Sequence, residues 1–266
     1  MSLLAVTLIA AVSLVVAYRV LGSALARWLR LDPAVKTPAV ALRDDVDYHP
    51  LEPSSLLSQH FSAIAAAGPI VGPILAGAMF GWLPALLWIL LGAIFIGGVH
   101  DMAALVASIR HKANSIAEVV REHMSRRSYV LFLLFVWLAL VYIIVAFTDI
   151  TASSFIGMIQ LENGQMVSGG GIATSSFLYL LLPIIMGLLL RYTKLRIGPA
   201  TFIFLPLVGF SIWIGQHIPF DLATFASIEP ITAHKVWNIV ILAYCFLASL
   251  VPMWALLQPR GHLGGY

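Results

Sequence analysis

The sequence predicts an all-α protein that crosses a lipid bilayer about seven times. Of its 266 residues, 61% are hydrophobic and 10% are charged, and the mean hydropathy is +0.96. Soluble domains carry about 25% charged residues. Polar side chains are therefore too few to coat the apolar surface in water, and lipid must be the solvent. The net charge of +3 is explained below by membrane topology and gives no support for nucleic-acid binding.

Apolar runs of about 20 residues, the length that spans a bilayer, predict the individual helices. The runs cover residues 2–22, 59–80, 83–108, 128–157, 173–191, 199–217 and 236–257. The apolar stretch from Ser2 to Tyr18 precedes Arg19 and Arg27, whereas a signal peptide carries its positive charges in front, so we expect a retained anchor helix. The stretch from Phe61 to Val99 lacks charge and is too long for one span. It breaks at Gly81 and Pro84 into a helical hairpin.

The positive charges predict an N-out, C-in topology. With this orientation the cytoplasmic segments hold 14 of the 15 Lys and Arg residues, and only Lys235 lies outside. Such an excess of positive charge is typical of cytoplasmic loops. We expect one transmembrane domain over residues 1–266, with residues 23–58 as a cytoplasmic connection.

Two loops carry local signals. Ser115 and Glu118 have the spacing of a helix capping box, and the apolar residues that follow fall on one face. This pattern predicts an interfacial helix over residues 114–125. On the outer side, the run Ser168–Gly171 predicts a flexible stretch.

The second apolar run contains two Gly-Pro pairs, Gly68-Pro69 and Gly72-Pro73. Proline lacks the N–H donor of a helix, and the residue before it is pushed away from helical geometry. Pro69 and Pro73 should therefore release the carbonyls of Ala65 and Pro69 and break the helix. Freed carbonyls in hydrocarbon need a partner, and broken helices build binding sites in transporters. We hypothesise a substrate or ion site at Ala65, Gly68, Pro69, Gly72 and Pro73; the alternative is a kink whose glycines permit close helix packing.

Titratable side chains near the predicted helix ends are candidates for gating or ion coupling. They are His60, His100, Asp101 and Asp149. Asp101 lies about 27 Å along a helix that starts at Leu83, near the inner edge of the apolar slab, where an ion pair with Arg110 is the alternative. Asp149 lies toward the outer end of its helix, where a carboxylate at headgroup level is the alternative. The sequence predicts no metal site, cofactor or catalytic residue.

Six short runs form a set that resembles the N-terminal portion of the carbon-starvation protein A family. They are Thr37-Pro38-Ala39, Asp47-Tyr48, His60–Pro73, Gly98–Asp101, Arg196-Ile197-Gly198 and Leu257–Arg260. The resemblance implies a multi-pass transporter of the bacterial inner membrane that takes up small peptides or pyruvate in symport with protons. It also implies a partial repeat like those of the amino acid–polyamine–cation superfamily, whose members use broken helices.

The sequence departs from that family in two places. Many relatives have Gln where His100 stands, and after Arg260 relatives continue with Asp-Tyr-Leu and further helices, whereas this chain has Gly261-His262-Leu263. Alternating access normally needs both repeats. We therefore expect a fragment, a split protein whose separate partner chain supplies the C-terminal helices, or a truncation that does not transport. The other expected partners are the lipid bilayer and a peptide or pyruvate.

Two other classes of protein remain as alternatives. A seven-helix sensor fits the topology, but a retinal protein needs a lysine in mid-membrane, and Lys235 precedes the last predicted helix at its outer edge. An intramembrane enzyme would use His60, His100 and Asp101 near the cytoplasmic face. The sequence has no phosphate-binding loop and no HExxH motif, which leaves a nucleotide-driven pump or a metalloprotease unsupported.

Overall fold

The computed structural model describes residues 2–44, 48–160, 164, 166–193 and 195–266. They divide into two compact units, the first formed by Met1–Leu51 and Ala66–Trp137 and the second by Glu52–Ala65 and Leu138–Tyr266. The single domain over residues 1–266 stays a prediction. Asp47, from the family-like runs, and Lys194, from the charge count, lie outside the described residues.

The first unit is built from helices. They are α1 (Leu3–Trp28), α2 (Pro38–Ala41), α4 (Ala67–Phe80), α5 (Trp82–Leu91), α6 (Gly98–Arg110), α7 (Ile116–His123) and the start of α8 (Arg126–Ile156), with a π-helical segment at Gly92–Gly97 joining α5 to α6. Gly81 has a φ of 87°, a left-handed conformation that glycine adopts without strain. It allows α4 and α5 to fold back on each other as the predicted hairpin.

The second unit contains the rest of α8 and the elements on either side. They are α3 (Pro53–Ile64), β1 (Met158–Gln160), β2 (Met166–Ser168), α9 (Gly170–Tyr192), α10 (Ile197–His217), α11 (Leu222–Ala226), α12 (Pro230–Leu250) and α13 (Leu257–Gly264). The two short strands pair antiparallel, an addition to the predicted all-helical plan. Helix α9 packs against α10, and α13 packs against α3 and α9.

The helices confirm an all-α, polytopic membrane protein. Among the described residues, six helices are long and apolar enough to cross a membrane, or seven if α3 and α4 form one bent span. The most apolar stretch of α8 has a mean hydropathy of 3.0 and is 0% buried, so its apolar side chains need an apolar environment such as lipid. The N-out, C-in orientation stays a prediction.

Two local predictions are wrong. Ser115 stands at the N-cap of α7 but its side chain makes no capping hydrogen bond, and Glu118 forms an ion pair with Arg121 at 2.6 Å, so the capping box is not formed. The glycines from Gly169 to Gly171 are buried rather than flexible. A Cβ added at Gly170 would lie 2.9 Å from the carbonyl oxygen of Phe220, so this turn is closely packed.

The end of the chain is fixed by a buried histidine. His262 lies in α13 with 3% of its surface exposed. Its Nε2 is 2.6 Å from Thr201 Oγ1, and its carbonyl oxygen accepts a hydrogen bond of 2.7 Å from Ser58 Oγ. The residues that follow Arg260, where this chain departs from the family pattern, therefore join α3, α10 and α13.

Protonation of His262 is expected to destabilise the second unit. Burial lowers the pKa of His262, because the cation is poorly solvated there. The unfolded chain then binds the proton more readily, so stability falls as the pH drops below the ordinary histidine pKa of about 6.5. Replacing His262→Asn should make the thermal unfolding temperature less dependent on pH between pH 7.5 and 5.5. His217→Asn is the control. An unfolding temperature that falls with pH as steeply in H262N as in the wild type would contradict the prediction.

Candidate functional site

A cavity of about 460 Å³ lies within the second unit, lined by α8, α9, α12 and α13. Its walls combine large apolar rings with a few polar groups. The polar and charged lining residues are Thr148, Thr151, Ser176, Tyr179, Tyr244 and Arg260. Apolar walls with a few polar groups are typical of pockets that bind small molecules.

The aromatic wall is positioned by the core of this unit. Trp237 of α12 is 3% exposed and packs edge-on against Phe155 of α8, with 4.9 Å between ring centroids. Phe177 of α9 lies 5.7 Å from the same indole. Contacts from α8 and α9 therefore hold the indole of α12 in place on this side of the cavity.

Two hydrogen-bond donors in the lining residues lack partners. Trp237 Nε1 and Tyr244 OH are buried and make no hydrogen bond within the described part of the chain. Buried polar groups are almost always hydrogen-bonded to protein, water or a ligand. These two groups are therefore candidate donors for a polar molecule, although both atoms are shielded from solvent and a shift of the lining is needed to expose them.

Arg260 supplies the positive charge of the cavity. It lies in α13, and its own carbonyl oxygen accepts a 3.5 Å hydrogen bond from Tyr179 OH, while its amide donates to Leu256 at 3.0 Å. No carboxylate among the described residues forms an ion pair with its guanidinium. A guanidinium binds a carboxylate through two parallel hydrogen bonds. The cavity can therefore hold a small organic anion.

The first unit has a cavity of a different kind. It has a volume of about 570 Å³ and is lined by α1, the π-helical segment and α6. Arg19 is its charged lining residue, and Leu14, Leu21 and Ile94 are typical of the rest. Its apolar lining favours a lipid chain or another helix more than a polar solute.

Comparison with known proteins decides the family. The model of the family described as carbon starvation protein CstA matches residues 2–266. This chain belongs to the carbon starvation protein CstA family. The resemblance seen in the sequence is thereby confirmed.

Curated members of the CstA family are named as transporters. The peptide transporter CstA of Campylobacter jejuni is 34% identical over 94% of this chain and 34% of its own length. The peptide transporter CstA of Bacillus subtilis is 34% identical over 95% of this chain and 40% of its own length. The pyruvate/proton symporter BtsT of Escherichia coli is 31% identical over 94% of this chain and 33% of its own length. The chain thus spans between a third and two fifths of the length of these relatives. No solved structure gives a significant match.

The helix break of this CstA-family chain lies just before its Gly-Pro pairs. Helix α3 ends at Ile64 and α4 begins at Ala67. Pro69 occupies the first turn of α4, where an amide would have no partner in the helix, and its ring leaves the Ala65 carbonyl without its usual donor. Helix α4 continues through Pro73. The break predicted at the first pair is therefore present, and the second pair lies inside a continuous helix.

The predicted gating residues are distributed over both units. His60 is exposed on α3 in the second unit. In the first unit, His100 and Asp101 follow the π-helical segment, and His100 Nδ1 lies 3.2 Å from Asp101 Oδ1. A π-helical insertion is frequently associated with a functional site. Arg110 does not pair with Asp101, since its guanidinium donates to the carbonyl oxygens of Leu29 and Arg30.

Asp149 has a partner that the sequence did not reveal. His234 Nε2 of α12 lies 3.4 Å from Asp149 Oδ1 and 3.2 Å from Ser153 Oγ. The Asp149 side chain remains 63% exposed. This arrangement joins the C-terminal part of α8 to α12.

Sequence reasoning missed the cavity and most of its lining. In the sequence, Arg260 belongs to the family-like run Leu257–Arg260 and to the cytoplasmic positive charges, and neither feature marks it as a ligand-binding group. Trp237 and Tyr244 fall seven residues apart in one apolar run, which places them two turns apart on one helical face. That spacing was the available signal for a shared surface.

Proposed function

We propose that this chain forms part of an ion-coupled transporter of the bacterial inner membrane that takes up small organic anions such as pyruvate or short peptides. It acts as a transporter and not as an enzyme or a sensor. The observation that carries the proposal is the cavity with an unpaired Arg260 and two unpartnered donors in a chain whose named relatives are transporters.

The cavity chemistry fits a carboxylate next to a carbonyl group. Arg260 would bind the carboxylate, and Tyr244 OH or Trp237 Nε1 would donate to the neighbouring oxygen. Pyruvate presents this pair as carboxylate and ketone, and a peptide presents it as its terminal carboxylate with nearby amide carbonyls. The aromatic wall would contact the apolar remainder of the solute and exclude water.

The predicted site at the helix break is assigned a separate part in the proposal. The carbonyls of Ala65 and Pro69 lack their usual helix donors because Pro69 and Pro73 have no N–H. We assign them to the coupling ion, with Gly68 beside the break and Gly72 leaving the backbone near the Pro69 carbonyl uncovered. His60, His100, Asp101 and Asp149 are assigned to gating and proton transfer. Transport further requires the helices that relatives have beyond the matched region, supplied by a separate partner chain if not by this one.

Direct binding tests the substrate class. The chain in lipid nanodiscs, titrated with pyruvate, a dipeptide and a dipeptide amide, should bind the first two and reject the amide, which lacks the carboxylate. Quenching of tryptophan fluorescence reports on binding near Trp237, with Trp237→Phe as the assignment control. Equal binding of the acid and the amide would rule out carboxylate recognition.

Leucine at Gly72 is expected to impair coupling without unfolding the chain. A Cβ at Gly72 meets no atom within 4 Å, so the larger side chain has room, but it would cover the backbone near the Pro69 carbonyl. Uptake of labelled pyruvate or dipeptide, measured with the complete set of helices, should fall about 10-fold or more in G68L and G72L, the usual cost of disturbing the groups that support the ligands of a bound ion.

Gly77→Leu provides the matched control for this prediction. Gly77 lies on the same helix and also has nothing within 4 Å of an added Cβ, but it is a full turn farther from the break. Normal uptake in G72L and G68L at unchanged membrane abundance would remove the break from the mechanism.

A further inference from the structure

The loop between α6 and α7 brings together two imidazoles and a carboxylate. His111 Nε2 and His123 Nε2 lie 2.7 Å apart, with the rings edge to face at 83°. Glu122 adds a carboxylate, and the possible ligand atoms of the three residues all lie within 4.8 Å of one another. We propose that His111, Glu122 and His123 form a binding site for a divalent transition-metal ion such as Zn²⁺.

A second hydrogen bond prepares His111 as a ligand. Its Nδ1 lies 2.6 Å from the carbonyl oxygen of Ala107. A carbonyl only accepts, so Nδ1 carries the proton and Nε2 presents its lone pair toward His123. This backbone contact is the usual device that fixes the orientation and tautomer of a metal-binding histidine.

The backbone of the turn is held in an uncommon conformation that closes the site. Lys112 and Ala113 have φ values of 58° and 59°, in a left-handed region that costs non-glycine residues free energy. Hydrogen bonds fix this geometry, from Ser108 Oγ to Asn114 O at 2.7 Å and from Tyr48 OH to Lys112 O at 2.9 Å. The chain therefore reverses direction after α6, and α7 places His123 against His111.

The electrostatics favour a cation at this point. His111 caps the C-terminus of α6 and His123 ends α7, and the C-terminal end of a helix carries partial negative charge. Of the neighbouring arginines, Arg110 is bonded to backbone carbonyls and Arg121 is paired with Glu118. Glu122 forms no ion pair among the described residues, so its charge is available to the metal.

The ligand set selects the kind of metal. Two imidazole nitrogens and one carboxylate suit Zn²⁺, Co²⁺ or Ni²⁺, whereas Mg²⁺ and Ca²⁺ prefer oxygen ligands alone. With Zn–N distances of about 2.0–2.1 Å, two imidazoles on one tetrahedral ion have nitrogens about 3.3 Å apart. The histidines therefore need to separate by only about 0.6 Å. The bound ion would cross-link α7 to the end of α6, the helix that carries His100 and Asp101.

Metal titration of the chain tests this site independently of transport. The chain, purified without a polyhistidine tag and stripped of metal, is titrated with Zn²⁺ in lipid nanodiscs by calorimetry and with Co²⁺ by visible absorption. We expect one ion per chain. His111→Gln and His123→Gln should each weaken binding about 10-fold or more, and Glu122→Gln should also weaken it.

The matched control is His217→Gln. His217 is an exposed histidine of the second unit and does not belong to the cluster. It should bind Zn²⁺ like the wild type. Zn²⁺ should also protect His111 and His123, but not His217, from modification by diethylpyrocarbonate. Absence of a stoichiometric ion, or unchanged affinity in H111Q and H123Q, would overturn the proposal.

Discussion

Replacing Gly215→Val is expected to destabilise the second unit by about 1–3 kcal/mol, the range for overpacking. A Cβ at Gly215 would lie 2.6 Å from the carbonyl oxygen of Gly171 and 2.8 Å from the amide nitrogen of Ser175. Both atoms belong to the backbone of α9, which cannot rotate away as a side chain could. Helix α10, which carries Gly215, must therefore move away from α9. The loss of stability should lie toward the upper end of that range.

Gly209→Val is the control for this prediction. Gly209 lies on the same helix, and a Cβ there meets nothing within 4 Å, so only the small difference in helix propensity remains. Unfolding in mixed micelles with increasing SDS, followed by circular dichroism, gives both stabilities. If G215V were as stable as G209V, close packing of small residues would not hold α9 against α10.

The same glycines show how far the sequence predicts the fold. Length and hydropathy locate the spans because the bilayer sets a minimum apolar length. Six of the seven predicted runs correspond to observed spans, and the run 59–80 corresponds to the bent pair α3 and α4. The run Ser168–Gly171 predicts flexibility because glycine is permissive in an isolated segment. The structure uses the missing side chains for close approach instead, and that depends on which helix lies opposite.

The helix break can be predicted from the local sequence, whereas the cavity cannot. Proline chemistry is local, so the interruption near Pro69 follows from the sequence, although the continuous course of α4 through Pro73 does not. The cavity groups come from residues as distant as Thr148 and Arg260, and no local pattern joins them. His111 and His123 also meet only because a left-handed turn reverses the chain. Sites built by tertiary contacts of this kind are not visible in hydropathy or spacing.

Replacing Arg260→Gln is expected to weaken binding of pyruvate or a dipeptide about 10-fold or more, the usual loss for a hydrogen bond to a charged group. Arg260 lines the cavity and has no carboxylate partner among the described residues, so its charge is free for the solute. Arg260→Lys should recover only part of the affinity, because an ammonium cannot form the paired hydrogen bonds of a guanidinium. Equilibrium binding in nanodiscs measures all three proteins.

Two controls separate recognition of the carboxylate from a general loss of positive charge. Arg191→Gln removes a guanidinium from the same unit, where it lies 4.6 Å from the Trp254 ring and outside the cavity lining, and it should leave binding unchanged. A dipeptide amide should bind wild type and R260Q equally weakly, since neither protein offers it an ion pair. If Arg260 acted only through the net charge of the chain, R260Q and R191Q would weaken binding equally. The difference between acid and amide therefore isolates the contact between Arg260 and the carboxylate, on which the proposed selectivity for organic anions depends.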